Sequence, residues 1–234
     1  MTLKKKADLR FPTKWATFRL MAFEAAFNED GEKHQQSGLA LILGEIHSAP
    51  PVVRIHSQCM TGDVSHSLRC DCHDQFHLAL HTIAEAKAGV LLYEYQEGRG
   101  IGLEEKLRAY ELQDEGLDTI EANLRLGHPV DLRDYRLPVE ILLFLGVRSL
   151  RLMTNNPQKI EAVRSAGFRI HERLTADVPP TIDSVRYMAT KRDLLGHLYG
   201  GETKPPPNQN GIHHQYGVAT CPVPEYASRN PDEG

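Results

Sequence analysis

Three of the chain's four cysteines, Cys59, Cys70 and Cys72, fall within one segment, residues 54–75, RIHSQCMTGDVSHSLRCDCHDQ. Thiolates are soft ligands, and three in one short polar stretch suffice to hold a zinc ion. With no fourth cysteine nearby, the fourth coordination position is left for water, the arrangement of a catalytic zinc and not of a structural one. Cys70 and Cys72 are two apart, so on a regular strand both face the same way and can converge with Cys59 arriving from the preceding turn. A disulfide within Cys-x-Cys is geometrically poor. The alternative is three uncoordinated thiols used as small core residues, and the polar neighbours Arg69, Asp71, His73 and Asp74 weigh against it. His56, His66 and His73 are further candidates for a nitrogen ligand, although histidines of this kind are commonly ordinary polar residues.

Two other groupings could do chemistry. The run 96–102, QEGRGIG, is neither a dinucleotide-binding nor a Walker A pattern, and an ordinary turn fits it equally well. Within it, the carboxylate of Glu97 can accept two hydrogen bonds from a nucleobase amide edge, and the guanidinium of Arg99 can grip phosphate in bidentate fashion. Asp131-Leu132-Arg133-Asp134 sits in the polar stretch LGHPVDLRDYRL. Taken alone it reads as a solvated charged linker.

These residues need elements to hold them. Short apolar runs, FRLMAF, LALILGEI and VVRIHS, alternate with turn residues and predict an antiparallel β meander, or a barrel-like arrangement, with the polar stretch 28–37 as a loop or hairpin tip. After the cysteines the period changes. Phe76, Leu80, Ile83 and Ala84 share one helical face that ends before Gly89. VLLYEY is a buried strand, followed by the glycine-rich turn and a helix marked by Leu103, Leu107 and Tyr110. Strand, glycine-rich turn, helix is an order that suits phosphate, because glycines let backbone N–H groups approach an anion. Pro138 suits the first turn of a helix closing at Gly146, 147–154 is a strand, Asn156 and Pro157 read as N-cap and first helical residue, and 168–174 is a further strand. The fold class is therefore α+β, a β-rich N-terminal half followed by alternating α and β segments. The expected domain is 15–199, with 1–14 an N-terminal extension and 200–234, rich in Pro, Gly and Asn and holding Cys221, a tail without fixed structure.

With 234 residues and a formal net charge of −4, the chain lacks the basic balance of a nucleic-acid binder, which points to small molecules before polymers. MTLKKKADLR is followed by no apolar signal region, and no apolar run approaches the length a bilayer demands. Cysteines clustered as if for metal fit a reducing, cytoplasmic setting.

The motifs R-x-H-S-x-C-x-T-G-D, S-L-R-C-D-C, Y-x-x-Q-E-G-R-x-I-G-L, R-A-Y-x-L-Q-D-x-G-x-D-T-x-E-A-N and, with Met153 for the usual leucine, L-T-N-N-P-x-K occur in this order from about Arg54 to Arg173. In them the chain resembles the GTP cyclohydrolase II family of riboflavin synthesis, with a weaker continuation through Tyr187 and TKRDLLGHL. The resemblance implies one zinc on Cys59, Cys70 and Cys72, whose water, its pKa lowered towards about 7, attacks C8 of the purine. Two hydrolytic steps there would release formate. It implies assistance by Tyr110 at the imidazole ring. It further implies attack by Arg133, with Asp131 as its base, on the α-phosphate to expel pyrophosphate with the help of Mg2+. An arginine nucleophile is chemically awkward given a pKa above about 12, and electrostatic stabilisation by Arg133 is the rival role. Ligand contacts would fall to Arg54, Gln58, Gln75, Glu97, Gly98, Arg99, Thr119, Thr154 and Lys159, in a homodimer. Gln58 stands where the family usually has glutamate, and His73 where it usually has glycine. These departures leave open a paralogue acting on another purine or pyrimidine, or stopping at the formamide stage. A non-catalytic nucleotide-binding module is a third reading.

Overall fold

The computed structural model describes residues 2–29 and 32–200. The expected tail beyond residue 200, with Cys221, lies outside the described residues. Seven strands form a single open sheet in the order β1-β2-β3-β5-β4-β6-β7. They are β1 (Thr2–Pro12), β2 (Thr17–Glu29), β3 (Glu32–Leu43), β4 (Val52–Ser57), β5 (Gly89–Glu94), β6 (Ser149–Met153) and β7 (Arg169–Leu174). The barrel-like alternative does not form.

β1 to β3 are the expected antiparallel meander, and β5 pairs antiparallel with β3. VVRIHS is the expected strand, but it does not continue the antiparallel meander. β4 lies parallel between β5 and β6, because the chain returns from it through helix α2 (Cys72–Ala86) before β5 begins, and only a crossover of that kind joins parallel neighbours. Its residues 52–56 are all buried, as a strand covered on both faces requires.

Within the expected extension 1–14, β1 pairs along β2 from Thr2 to Pro12. Leu3 is the β1 residue packed against the core, and Arg19 on β2 donates through Nε and Nη2 to Asp8 at 2.8 Å each, so an edge strand stands here on its ladder and cross-strand pairs with little apolar burial. The polar stretch 28–37 lies in the β2–β3 hairpin as expected, with residues 28, 29 and 32–37 in the ladder, which continues to the Glu29–Glu32 pair.

Period-two alternation divides the core between the two faces of the sheet. On one face Val53, Ile55, Val90 and Leu92 pack with Leu137, Ile141 and Leu142 of α5 (Arg136–Phe144) and Val163 of α6 (Pro157–Ser165). On the other, Val52 and Leu91 pack with Ala79, Leu80 and Ile83 of α2. Helices on both faces leave the strand ends free to carry a site. The remaining helices are α1 (Met60–Asp63), α3 (Leu103–Asp114), α4 (Thr119–Arg125) and α7 (Val185–Asp193), with a 3-10 turn at Glu97–Gly100. α4 begins in a full capping box, in which Asp118 accepts from the N–H groups of Ile120 and Glu121 while Glu121 reaches back to the Asp118 N–H.

Candidate active site

β4, β5 and β6 all deliver their carboxyl ends to one cavity of about 970 Å³, counting its open mouth. Ser57 ends β4, and Gln58 and Cys59 follow it; Gln96, Glu97, Gly98 and Arg99 follow β5; Thr154, Asn155 and Asn156 follow β6. This is where an open α/β sheet carries its ligands.

The three thiols meet at one corner of that cavity. Cys70 lies in the loop before α2 and Cys72 is its first residue, so the pair does not sit on a strand as expected; the turn into the helix brings the sulfurs together instead. The Sγ atoms lie within 4.8 Å of one another, and those of Cys59 and Cys70 are 3.7 Å apart. Tetrahedral ligands at the usual Zn–S distance of about 2.3 Å are separated by about 3.8 Å, so the thiols fit such an ion. A Cβ on Gly62 would stand 2.9 Å from the Cys70 sulfur and 3.2 Å from that of Cys59, so backbone closes the floor of the site. Among the described residues no fourth His, Cys, Asp or Glu joins the group. His56 Nε2 is engaged with Asp63 at 3.1 Å, while His66 lies tilted against His73 and His73 against His77, with ring centres 3.8 and 3.9 Å apart.

Buried Asp63 organises the first half of the loop. It accepts from the Cys59 N–H at 3.0 Å and from the Tyr93 hydroxyl at 2.9 Å as well as facing His56. Burial pushes the His56 pKa down, and Nε2 donates in this pair because the facing carboxylate oxygens accept. Lys106 of α3 contributes a charge that sequence reasoning missed. Its Nζ lies 3.1 Å from the Cys59 sulfur, 2.9 Å from Thr61 Oγ1 and 2.7 Å from Glu97 Oε1. Thiolates are stabilised by such a cation. The available signal was its i, i+4 spacing to Tyr110, which puts both on one helical face. Tyr110 lines the cavity, and burial raises its pKa, which favours the neutral phenol.

The glycine-rich turn is an unusual backbone. Gly98 and Arg99 adopt consecutive left-handed conformations, φ 60° and 61°, and for arginine that is a strained choice of the kind found at ligand sites. Glu97 holds this turn to the cysteine loop by accepting from the Met60 N–H at 2.6 Å and from Lys106. The turn also positions the third grouping. Gly100 packs where a Cβ would meet Leu132 at 2.9 Å, and the Leu132 N–H donates to Arg99 O at 2.9 Å. Next to it Arg133 faces the cavity, gripped by Asp131 through Nε at 2.9 Å and a second, Nη2 contact. Asp131 itself is not part of the lining.

Arg54, Gln58, Gln75, Thr119 and Lys159 also reach the lining, so apart from Asp131 every residue implied for metal, ligand or catalysis borders this one cavity. Lys159 is buried, donating to Ile55 O at 2.8 Å and Ser57 Oγ at 3.3 Å. Burial, with Arg133 and Arg54 nearby, pushes its pKa well down, a strain that an anionic ligand would relieve. Tyr187, Lys191 and His197 line the same cavity from α7 and the turn after it; the TKRDLLGHL match was the one signal for them.

Beside this cluster, burial pushes the Glu94 carboxyl up to about 7, only partly offset by Lys159 and Arg133. The unfolded chain ionises this group at the usual carboxylate pKa, so the folded state loses stability as pH rises from there through about 7. The loss is on the order of 3 kcal/mol. A Glu94→Gln variant should therefore gain on the wild type by about that amount between pH 4 and pH 8 in urea denaturation of the ligand-free protein. A difference that does not change with pH would contradict this.

A thiol cluster able to hold a metal ion thus lies in a cavity lined by buried cations at the strand ends of an α/β sheet. The family model for GTP cyclohydrolase II matches residues 4–175. A GTP cyclohydrolase-2 of Neisseria meningitidis serogroup C is 46% identical over 197 residues, 84% of this chain and 96% of its own length. That of Baumannia cicadellinicola is 47% identical over 199 residues, covering 85% and 97%. The riboflavin biosynthesis protein RibBA of Chlorobium phaeovibrioides is 47% identical over 84% of this chain and 47% of its own length. The chain belongs to the GTP cyclohydrolase II family.

Proposed function

We propose that the chain opens the imidazole ring of GTP, releasing formate and pyrophosphate and leaving the 2,5-diamino-6-ribosylamino-pyrimidinone 5′-phosphate that begins riboflavin synthesis. The observation that carries this reading is the single cavity that takes in a three-thiol cluster together with Arg54, Arg99, Arg133 and Lys159. The names of its relatives support it.

Cys59, Cys70 and Cys72 would hold zinc, and a bound zinc supplies Lewis acidity and a water acidified towards a pKa of about 7. Tyr110, kept protonated by burial, donates at the imidazole nitrogen that leaves C8. Arg54, Arg99 and Lys159 bind the triphosphate with Mg2+, and Thr119 and Thr154 complete the ligand contacts with Gln58, Gln75, Glu97 and Gly98. Arg133 stabilises charge on the α-phosphate as pyrophosphate leaves. Asp131 fixes the guanidinium through the paired hydrogen bonds between them. A homodimer in the cytoplasm completes the reading.

The test is mass analysis of the products from zinc-replete protein given GTP and Mg2+. Formate, pyrophosphate and the diaminopyrimidine are expected, and a folded, zinc-loaded sample yielding none of them would overturn the proposal. Gln58, which lines the cavity beside Cys59, favours a second reading in which another purine is the substrate or the formyl carbon is retained. The same measurement across a panel of nucleotides decides between them.

A further inference from the structure

Cys70 and Cys72 are separated by Asp71, a carboxylate only 2% exposed. One of its oxygens takes a short hydrogen bond from Lys191 Nζ, which comes from α7, 120 residues further along the chain. The other accepts from Gln75 Nε2 at 2.7 Å; Gln75 Oε1 in turn accepts from Arg54 at 2.8 Å, and Arg54 donates to Met153 O at 3.2 Å. Both members of the Lys191–Asp71 pair are buried. The segment carrying Lys191 is fastened at both ends, by Thr181 Oγ1 donating to Leu68 O at 3.0 Å and by the Leu198 N–H donating to Asn155 O at 2.8 Å. It therefore crosses from the cysteine loop to the end of β6, and Tyr187, Lys191 and His197 line the cavity along the way.

We propose that Lys191 is a positioning residue for the metal centre, acting through Asp71 to hold the Cys70 and Cys72 sulfurs in their convergent arrangement. Two physical effects act together. The carboxylate lies between the two ligands in sequence, so fixing it fixes both adjoining peptide planes. Three thiolates around a divalent ion leave a net negative charge, and an uncompensated Asp71 carboxylate beside them would add repulsion that the Lys191 ammonium cancels. Partners of this kind, one step removed from the metal, set its affinity, and their loss costs about 10- to 100-fold. The inference rests on the metal reading of the thiols and is independent of the substrate.

The experiment measures zinc affinity by competition with a chromophoric chelator, and the absorption of the Co2+-substituted protein, for the full chain and its variants. Lys191→Met should raise the zinc Kd by about 10- to 100-fold and weaken or shift the tetrahedral cobalt bands. Lys191→Arg should restore most of the affinity. Pairing Lys191→Met with Asp71→Asn should recover much of it as well, because the unbalanced charge is then gone. Wild-type zinc affinity and cobalt spectrum in Lys191→Met would overturn the proposal, even if that variant melts earlier as apoprotein, since the pair would then support the fold alone. Losses in the double variant that equal the sum of the singles would also overturn it. A wild-type protein that binds no zinc would overturn the inference and the metal reading together.

Discussion

Cys70→Ser should release zinc and lower kcat for formate production by more than about a thousandfold, a barrier increase of about 4 kcal/mol, while the protein stays folded. The sulfur of Cys70 is 3.7 Å from that of Cys59 and borders the floor at Gly62, so it has no freedom to be replaced by a shorter, harder oxygen at the same place. Its loss leaves two thiols and no further ligand in the group among the described residues. Cys70 belongs to neither apolar cluster that joins the sheet to its helices, which is why the far-ultraviolet circular dichroism should not change. Metal content by chelator titration and formate release by coupled assay check the two halves of this expectation. Retention of both zinc and turnover would remove the thiol cluster from the mechanism.

Arg133→Ala should lower the rate of pyrophosphate release by about 10²- to 10³-fold, the usual cost of removing one preorganised donor from a developing charge. Arg133→Lys should recover little of it, because an ammonium cannot reproduce the two-pronged geometry that Asp131 fixes. The structure also bears on which role the guanidinium takes. Burial opposes its charge, but the hydrogen bonds to Asp131 outweigh this and push its pKa above the ordinary arginine value. Burial likewise opposes ionisation of Asp131, and Arg133 more than compensates, leaving that carboxyl a weaker base than usual. A weakened base facing a strengthened acid favours stabilisation through charge over nucleophilic attack as the proposed role of Arg133. Asp131→Asn keeps an acceptor and should cost only about tenfold, close to the value of one hydrogen bond to a charged group. Intact-protein mass spectra of quenched reactions should show no nucleotide attached to the chain. A stoichiometric adduct on Arg133, or an Asp131→Asn variant as inactive as Arg133→Ala, would assign Arg133 the covalent role.

What sequence made legible here was local. Asn156 and Pro157 mark the start of α6, and the Asn156 side chain accepts from the Gln158 N–H at 2.8 Å, because a cap is a matter of three adjacent residues. The glycine-rich turn between β5 and α3 follows from composition over a similarly short span. The cysteines announced a cluster able to hold a metal ion, although their convergence comes from the start of a helix and not from strand periodicity. The failures share a physical cause, since each depends on a partner distant in sequence. β1 has almost no buried face of its own and is a strand only because β2 is beside it. VVRIHS reads as a strand in isolation, but its direction relative to its neighbours is set by the helix that follows. Lys191 and Lys106 look like solvated helix charges until Asp71 and Cys59 are brought against them. The raised pKa of Glu94 likewise has no trace in the residues flanking it.

The backbone floor at Gly62 has an evolutionary corollary. If a descendant of this protein lost its metal, the obvious repair would be to let a side chain at position 62 fill the space between the thiols. While the cysteines remain, the first carbon added there would stand 2.9 Å from the Cys70 sulfur and 3.2 Å from that of Cys59, so the loop would have to shift to take it. Replacing the cysteines first removes the ligands without filling the hole. A packed, metal-free core at this loop therefore calls for changes at position 62 and at the cysteines together.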